Sequence, residues 1–505
     1  MIVATVHLFN AWCIQQKLPP GPRGLPIIGN LLQIPSSRQW LTFSDWSKKY
    51  GPIFYLNIAG QHTVILGTHK AAMDLLDKRA NIYSGRAQNI VAGELLTGGM
   101  VFAFAQHNEL WRKQRRGAHE ALNHQMSKNY HDFQETECVV LLDQLMTAPN
   151  EWDNHLRRAS ASLVLRVIYG TPPLLDSQHP DIVRVNHFTE RALSAAAPGA
   201  FWVEYFTWMK YLPRWMCPWR QYAEDSFNKD SAMFENLFSH VEKRINAGDD
   251  TPSVAATLLS NPSKKGVSHK EAAWLAATLY AAGAETTSSQ LAWFIQAMIL
   301  FPETQKTAQE ELDHVVGANR LPSFDDYPKL PYIQAMVKEI MRWRGIAPLG
   351  VPHRLCEDDY YEGHFLPRNT ICIPNIWALH KDTTVYGEDV DNFNPHRHLN
   401  KDGSLKTSIP NTNNESHFNY GFGRRRICVG RHIASNSMFI EIACLLWAFN
   451  IRAENDSKGR NILPDSLDSI DEGLVVRPAP FSCQISPRNM ELTAILAQAK
   501  TARGL

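Results

Sequence analysis

Between Ser268 and Pro302 the chain reads SHKEAAWLAATLYAAGAETTSSQLAWFIQAMILFP, and no other stretch of its 505 residues restricts the fold so much. Ser268 and Glu271 have capping-box spacing, which marks a helix start. Pro302 marks the end. The helix between is apolar nearly all round, so it requires burial on every side in a large core. Its length would also suit a bilayer. The middle argues against that, because Glu285, Thr286, Thr287, Ser288, Ser289 and Gln290 follow one another, and bare polar groups at that depth in lipid are costly.

Two readings of Glu285 and Thr286 are open. Gly283 removes side-chain bulk where another group approaches. The adjacent hydroxyls can divert backbone hydrogen bonds and open a local bulge. Such a notch would hold a small molecule or water, with Glu285 feeding protons into it through Thr286. The alternative is a glycine-weakened core helix with a satisfied glutamate. Taken alone, the helix reads as the second.

Apolar spacing predicts further helices near 39–50, 70–80, 108–128, 131–147, 155–169, 180–195, 222–247, 303–316, 331–344 and 431–449. Strand patterns are fewer: 53–66, 362–377 and 473–486. The fold class is mainly α with a small β lobe. Length alone would allow two or three domains. Lysines and arginines number 51 against 50 acidic residues, a formal charge of +1, so no nucleic-acid partner is called for. The eight cysteines are scattered and form no C-x-x-C. A zinc ribbon, a dithiol redox site and a disulfide scaffold are therefore disfavoured. A reducing, cytosol-facing compartment is expected.

Residues 1–17, MIVATVHLFNAWCIQQK, open with an apolar run broken by His7 and Asn10. The run is shorter than the roughly 20 residues of a spanning helix, and no positive n-region precedes it. It reads either as an interfacial membrane anchor or as a frayed terminus. The prolines of LPPGPRGLPIIGN (18–30) then impose a stiff, extended spacer. Residues 200–220, AFWVEYFTWMKYLPRWMCPWR, crowd aromatics together with Lys210, Arg214 and Arg220. That mixture suits either a core or a surface that touches lipid headgroups.

YGFGRRRICVGRHIA (420–434) places one cysteine, Cys428, just before a strong helical pattern. The helix N-terminus and the cations Arg424, Arg425, Arg426 and Arg431 would lower a thiol pKa. An anionic sulfur there suits a nucleophile or a metal ligand. A nucleophile needs a general base in reach, and His432 would project from another face of the helix. An axial thiolate on haem iron needs neither a base nor a partner cysteine, and several of the arginines would then pair with the haem carboxylates.

These residues resemble a known family. FGRRRICVGRHIA is similar to the haem-binding loop of cytochrome P-450 monooxygenases, and AGAETT (282–287) resembles the oxygen-binding motif of their central helix. EIMR (339–342), FNPHRH (393–398) and WRKQR (111–115) resemble the E-x-x-R, meander and W-x-x-x-R motifs. LPPGPRGLPIIGN and GLVVRPAPF (473–481) resemble the two ends of the family pattern. All stand in family order, so the resemblance covers essentially the whole chain and is closest to fungal microsomal-type enzymes of secondary metabolism. There is one departure: Gly423 lies five residues before Cys428 where the pattern has four, so the loop carries an extra residue.

The resemblance implies the cytochrome P-450 fold, a single large catalytic domain over 18–505 behind the 1–17 segment. It implies haem b (iron protoporphyrin IX) with Cys428 as axial thiolate and metal ligand. Trp111, Arg115, His353 and Arg426 match cofactor-binding positions at the haem propionates. Glu285 and Thr286 match the acid–alcohol pair that supplies protons during oxygen reduction. Glu339, Arg342 and Arg397 would form a buried cluster that braces the cysteine loop. Segments near 84–106, 196–210, 274–287, 346–351 and 474–481 would line the pocket.

The function implied is insertion of one oxygen atom from O2 into a small apolar substrate, a secondary metabolite of terpenoid or aromatic type. No dinucleotide fingerprint occurs, so electrons would come from NADPH through a separate cytochrome P-450 reductase. Arg112, Lys113, Arg116 and Arg424 to Arg426 would offer that acidic flavoprotein a basic face. The implied location is the endoplasmic reticulum membrane, with the catalytic domain facing the cytosol. A haem-thiolate isomerase or dehydratase without a reductase, and a non-enzymatic haem protein, remain as alternatives; both would have less use for the acid–threonine pair.

Overall fold

Ser268 and Glu271 close the expected capping box: Glu271 N–H donates to Ser268 Oγ at 3.2 Å and Ser268 N–H to Glu271 Oε2 at 2.7 Å. The central helix then runs unbroken over His269–Leu300. The computed structural model describes residues 16–197, 200–260, 266–410, 412–471 and 474–505. The apolar segment expected as an anchor lies, but for its last two residues, outside them. Among the described residues no helix is long and apolar enough to cross a membrane.

The two halves of the central helix serve two cores. Its first half packs Trp274, wholly buried, against Phe188, Phe227 and Phe234, with ring centres 5.0–5.8 Å apart. Trp274 Nε1 donates to Ser231 Oγ at 3.0 Å, which satisfies the indole donor in an apolar surround. The second half, Leu291–Ile299, packs with helices Pro331–Trp343 and Arg431–Ala448 in a separate cluster. The polar stretch 285–290 falls between the cores, so its side chains reach partners other than apolar ones.

The β lobe is small. Its largest sheet has five strands in the order Ile53–Ile58, Gln61–Leu66, Ile371–Pro374, His353–Arg354 and Gly85–Arg86. The last two pair antiparallel and set Arg86 opposite His353. A second sheet joins Cys483–Pro487, Phe449–Asn455 and Asn461–Ile462, and a hairpin pairs Ser469–Asp471 with Val476–Pro478. The chain is one helix-rich domain, the architecture the motif order implies.

Candidate active site

A cavity of about 340 Å³ lies between the central helix and the loop before helix Arg431–Ala448. Ala282, Gly283, Thr286 and Thr287 form one wall and Cys428 another. The thiol is open to the cavity although it sits deep in the protein.

The cysteine loop is held by its backbone. Cys428 N–H donates to the Tyr420 carbonyl at 2.9 Å. The N–H groups of Ile427 and Arg426 both donate to the Gly423 carbonyl, at 2.9 and 3.1 Å. This wide turn takes up the extra residue and leaves the cysteine in register with its helix. Gly423 has φ +68°, and a Cβ there would lie 2.5 Å from the Leu76 carbonyl oxygen, so no side chain fits.

Charge near Cys428 does less than its neighbours suggest. Burial pushes the thiol up; the N–H groups of Gly430 and Arg431 and the cations Arg115 and Arg431 offset only part of this. The expected lowering is thus corrected: desolvation of a buried thiolate outweighs the helix start and the arginines. The arginine run also divides. Arg426 turns inward, donating to the Ser84 and Ala105 carbonyls at 2.9 Å each. Arg424 is exposed, and Arg431 donates to the Cys428 carbonyl at 3.3 Å.

Trp111 and Arg115, four apart on helix Glu109–Leu122, both reach the cavity. Asn108 caps this helix by accepting from Trp111 N–H at 2.9 Å. The indole is buried, and its Nε1 has no hydrogen-bond partner. Arg426 lies 4.5 Å over its ring. His353 donates from Nδ1 to the Tyr83 carbonyl at 2.8 Å. Burial, and then Arg86, hold it well below the usual imidazole range, so it is neutral with Nε2 as acceptor.

Arg86 carries no motif and escapes the sequence reading. It lines the cavity and is 6% exposed. It donates to the carbonyls of Ala103, Val351 and Pro352 at 2.6–3.2 Å. Burial and the nearby Arg426 hold it well below the usual arginine range. None of Arg86, Arg115 and Arg426 meets a carboxylate in the ion pairs of the described residues. Three guanidiniums at one end of a cavity, beside an indole donor without an acceptor, call for a ligand with anionic oxygens.

The opposite wall differs from the expected notch. The central helix does not bulge: Thr286 Oγ1 donates to the Ala282 carbonyl at 2.9 Å and Ser288 Oγ to that of Glu285 at 3.0 Å, both within intact helix. These hydroxyls back-bond without displacing the helical ladder. The recess comes from the small side chains Ala282 and Gly283. Gly283 also lets helix Trp152–Tyr169 approach, since a Cβ there would meet Val164 at 3.0 Å.

Thr286 and Glu285 are separated by function of place. Thr286 lines the cavity; Glu285 does not. Its carboxylate accepts from Arg157 Nη1 and Arg477 Nη1, each at 2.8 Å. Both arginines also bind Asp153. Of the expected pocket segments, 84–106 contributes Arg86, Phe102 and Ala103, and 346–351 and 474–475 contribute as expected. Among the described residues of segment 196–210, none lines the cavity.

Glu339 and Arg342, both fully buried, bond through both carboxylate oxygens, at 2.7 and 2.9 Å. Arg397 reaches Glu339 at 3.4 Å and His398, which the motifs do not single out, at 2.9 Å. Burial alone would raise the Glu339 carboxyl; Arg342 and His398 instead hold it well below the carboxylate range. Arg342 also donates to the His380 carbonyl at 2.8 Å, and His380 Nε2 accepts from Phe418 N–H at 2.9 Å. The ion cluster is thereby tied to the strand of chain entering the cysteine loop.

Comparison with known proteins agrees with this layout. The family model described as Cytochrome P450 matches residues 19–485. A cytochrome P450 monooxygenase of Armillaria gallica is 49% identical over 99% of this chain and 94% of its own length. Cytochrome P450 monooxygenase 58 of Postia placenta is 44% identical over 95% of this chain and 90% of its own. The monooxygenase iboC of Amanita muscaria is 38% identical over 98% and 96%.

Proposed function

The chain belongs to the cytochrome P450 family and is a monooxygenase, and from that premise we propose that it places one oxygen atom from O2 on an apolar secondary metabolite, using NADPH electrons delivered by a separate reductase. The observation that carries this reading is the facing of Cys428 and Thr286 across one apolar cavity. When bound, a thiolate-held haem supplies oxygen activation, the electron-rich sulfur favouring O–O cleavage.

The residues fit haem b. Cys428 Sγ would hold the iron. Arg86, Arg115 and Arg426 would bind the two propionates, and Trp111 Nε1–H would gain the acceptor it lacks. His353 would donate from Nε2 once a carboxylate offsets the neighbouring arginines and favours its protonation. Thr286 would present its hydroxyl to the reacting oxygen and pass protons from water, while Glu285 stays paired with Arg157 and Arg477. Phe102, Ala103, Leu279, Ala347, Val351 and Val475 supply apolar wall; they exclude water and select an apolar guest.

The reductase reading is supported by a basic cleft on the cysteine side, lined by Arg112, Arg115, Arg116, Arg424, Arg425 and Arg431 with one acid, Asp77. Such a field steers an acidic flavoprotein. A place at the endoplasmic reticulum membrane, with the domain in the cytosol, is supported by exposed Trp202, Phe206, Trp208, Tyr211 and Trp215. Aromatics among cations suit the headgroup layer. Reconstitution tests the whole: NADPH oxidation must require added reductase and rise with an apolar ligand that shifts the haem spectrum. Turnover without reductase would favour the isomerase or dehydratase class. Co-flotation with anionic vesicles that survives Trp208→Ser with Trp215→Ser would remove the membrane face.

A further inference from the structure

Gln290 belongs to no motif and stands one turn beyond Thr286, on the same face of the central helix. It is 1% exposed and lines the same cavity. Its side chain binds two other elements. Nε2 donates to the Ile340 carbonyl at 3.1 Å and to the Arg344 carbonyl at 2.9 Å, at the end of helix Pro331–Trp343. Oε1 accepts from Asn419 Nδ2 at 3.1 Å. Chemistry fixes both amide orientations. Carbonyls only accept, so Gln290 must turn its NH2 group to them and its oxygen to Asn419, which must then donate.

Asn419 lies on the opposite wall of the cavity, between two other anchored residues. Phe418 N–H donates to His380 Nε2 and the Tyr420 carbonyl accepts from Cys428 N–H, each at 2.9 Å. Gly345 makes room for the amide, since a Cβ there would lie 2.9 Å from Asn419 Oδ1. The Gln290–Asn419 bond therefore joins the wall that carries Thr286 to the stretch of chain that holds Cys428. Thr286 Oγ1 is bonded to its own helix, so the hydroxyl moves with the helix. A proton donor works only within about 2.6–3.2 Å of its acceptor, and a misplacement of about 1 Å can cost about a hundredfold in rate.

We propose that Gln290 and Asn419 are positioning residues: their hydrogen bond is a spacer across the haem slot that sets how far the Thr286 hydroxyl stands from Cys428, and so how fully oxygen is reduced before it is released. This rests on the cavity being the haem site and on Thr286 as its proton donor. Electrons come from NADPH through the reductase. Two electrons and two protons turn O2 into hydrogen peroxide; four of each turn it into two waters.

The spacer is tested without substrate in haem-loaded wild type, in Gln290→Met and Asn419→Ala, in Thr286→Ala, and in Thr286→Ala combined with each of the other two substitutions. Two quantities are read. One is the ratio of peroxide to water formed from O2 with NADPH and reductase. The other is the infrared C–O stretch of the carbon monoxide complex, which reports the polar groups facing the iron. The ratio should rise roughly threefold in Gln290→Met and in Asn419→Ala. Either substitution added to Thr286→Ala should change it less than about 1.5-fold. The C–O band should move in both single variants. A wild-type ratio or an unmoved band in both would overturn the spacer, even if the melting temperature falls, because lost stability alone is the mark of a mere brace. A full rise in the Thr286→Ala background would overturn it too. If Gln290→Met does not load haem, Asn419→Ala decides, since it leaves both carbonyl bonds of Gln290 in place. If Thr286→Ala keeps the wild-type ratio, the proton-donor reading of Thr286 fails instead, and the C–O band alone decides the spacer. Wild-type protein without the thiolate Soret signature would overturn the haem reading beneath both.

Discussion

Glu285 and Arg477 meet at 2.8 Å outside the cavity that the very next residue, Thr286, lines. The guanidinium is only 4% exposed, and its other partner is Asp153. An acid and an alcohol adjacent in sequence are therefore set apart: Glu285 neutralises a buried arginine, and Thr286 faces the cavity.

Replacement separates those tasks. Thr286→Ala removes a hydroxyl bonded only to its own helix, so stability should change by less than about 0.5 kcal/mol. Product per NADPH should fall roughly tenfold, with hydrogen peroxide making up the difference. Glu285→Gln should lower unfolding stability by about 1–3 kcal/mol, since it takes an anion from Arg477. Joint measurement of NADPH, peroxide and product, with thermal melts, checks both.

Glu339 and Arg342 brace the cysteine loop from behind. Glu339→Gln leaves the fully buried Arg342 without a carboxylate, while Arg397 keeps Asp389, and should cost roughly 3–5 kcal/mol. The urea midpoint and the haem content of purified protein should both drop. Arg342→Lys keeps the charge but cannot fork between Glu339 and the His380 and Val390 carbonyls, so it should rescue little. Because the Glu339 carboxyl is held below its unfolded value, its contribution is complete above about pH 4–5 and is lost only as pH falls below that range.

Trp111→Phe keeps the ring beneath Arg426 and deletes only the unpartnered donor. Haem release to apomyoglobin should quicken about ten- to a hundredfold, the worth of one hydrogen bond to a charged group. Arg86→Leu should quicken it further. An unchanged rate for Trp111→Phe would mean that Nε1 does not meet a propionate.

Glu441, on the cysteine helix, has one carboxylate oxygen without a partner. Burial, and then Glu137, push its carboxyl up to about 8. The folded protein thus holds this proton more tightly than the unfolded chain. Its stabilising effect is full below about pH 4, the unfolded value, and is lost as pH rises to about 8. Glu441→Gln should flatten that decline, which can reach about 1.4 kcal/mol per pH unit, in unfolding midpoints measured across the range.

The long helices are legible because each is a long run of helix formers, bounded by caps, prolines or glycines; His131–Thr147 occupies the expected span. Phe449–Asn455 is harder, because the apolar run of the preceding helix leads straight into it and only pairing with Cys483–Pro487 makes it a strand. Two-residue strands such as Gly85–Arg86 carry no period at all, so nothing local announces that Arg86 stands beside His353. The direction of Glu285 depends on arginines 128 and 192 residues away. At Cys428 the neighbouring charges can be counted from sequence, whereas the burial that outweighs them cannot.

The haem-binding and oxygenation roles proposed above rest on thiolate ligation by Cys428. Carbon monoxide added to the reduced, haem-loaded protein should move the Soret band to the long-wavelength position of thiolate-ligated haem. Cys428→Ser should abolish that band while leaving the fold intact. A wild-type band at the position of histidine-ligated haem, or a long-wavelength band that persists in the serine variant, would contradict it.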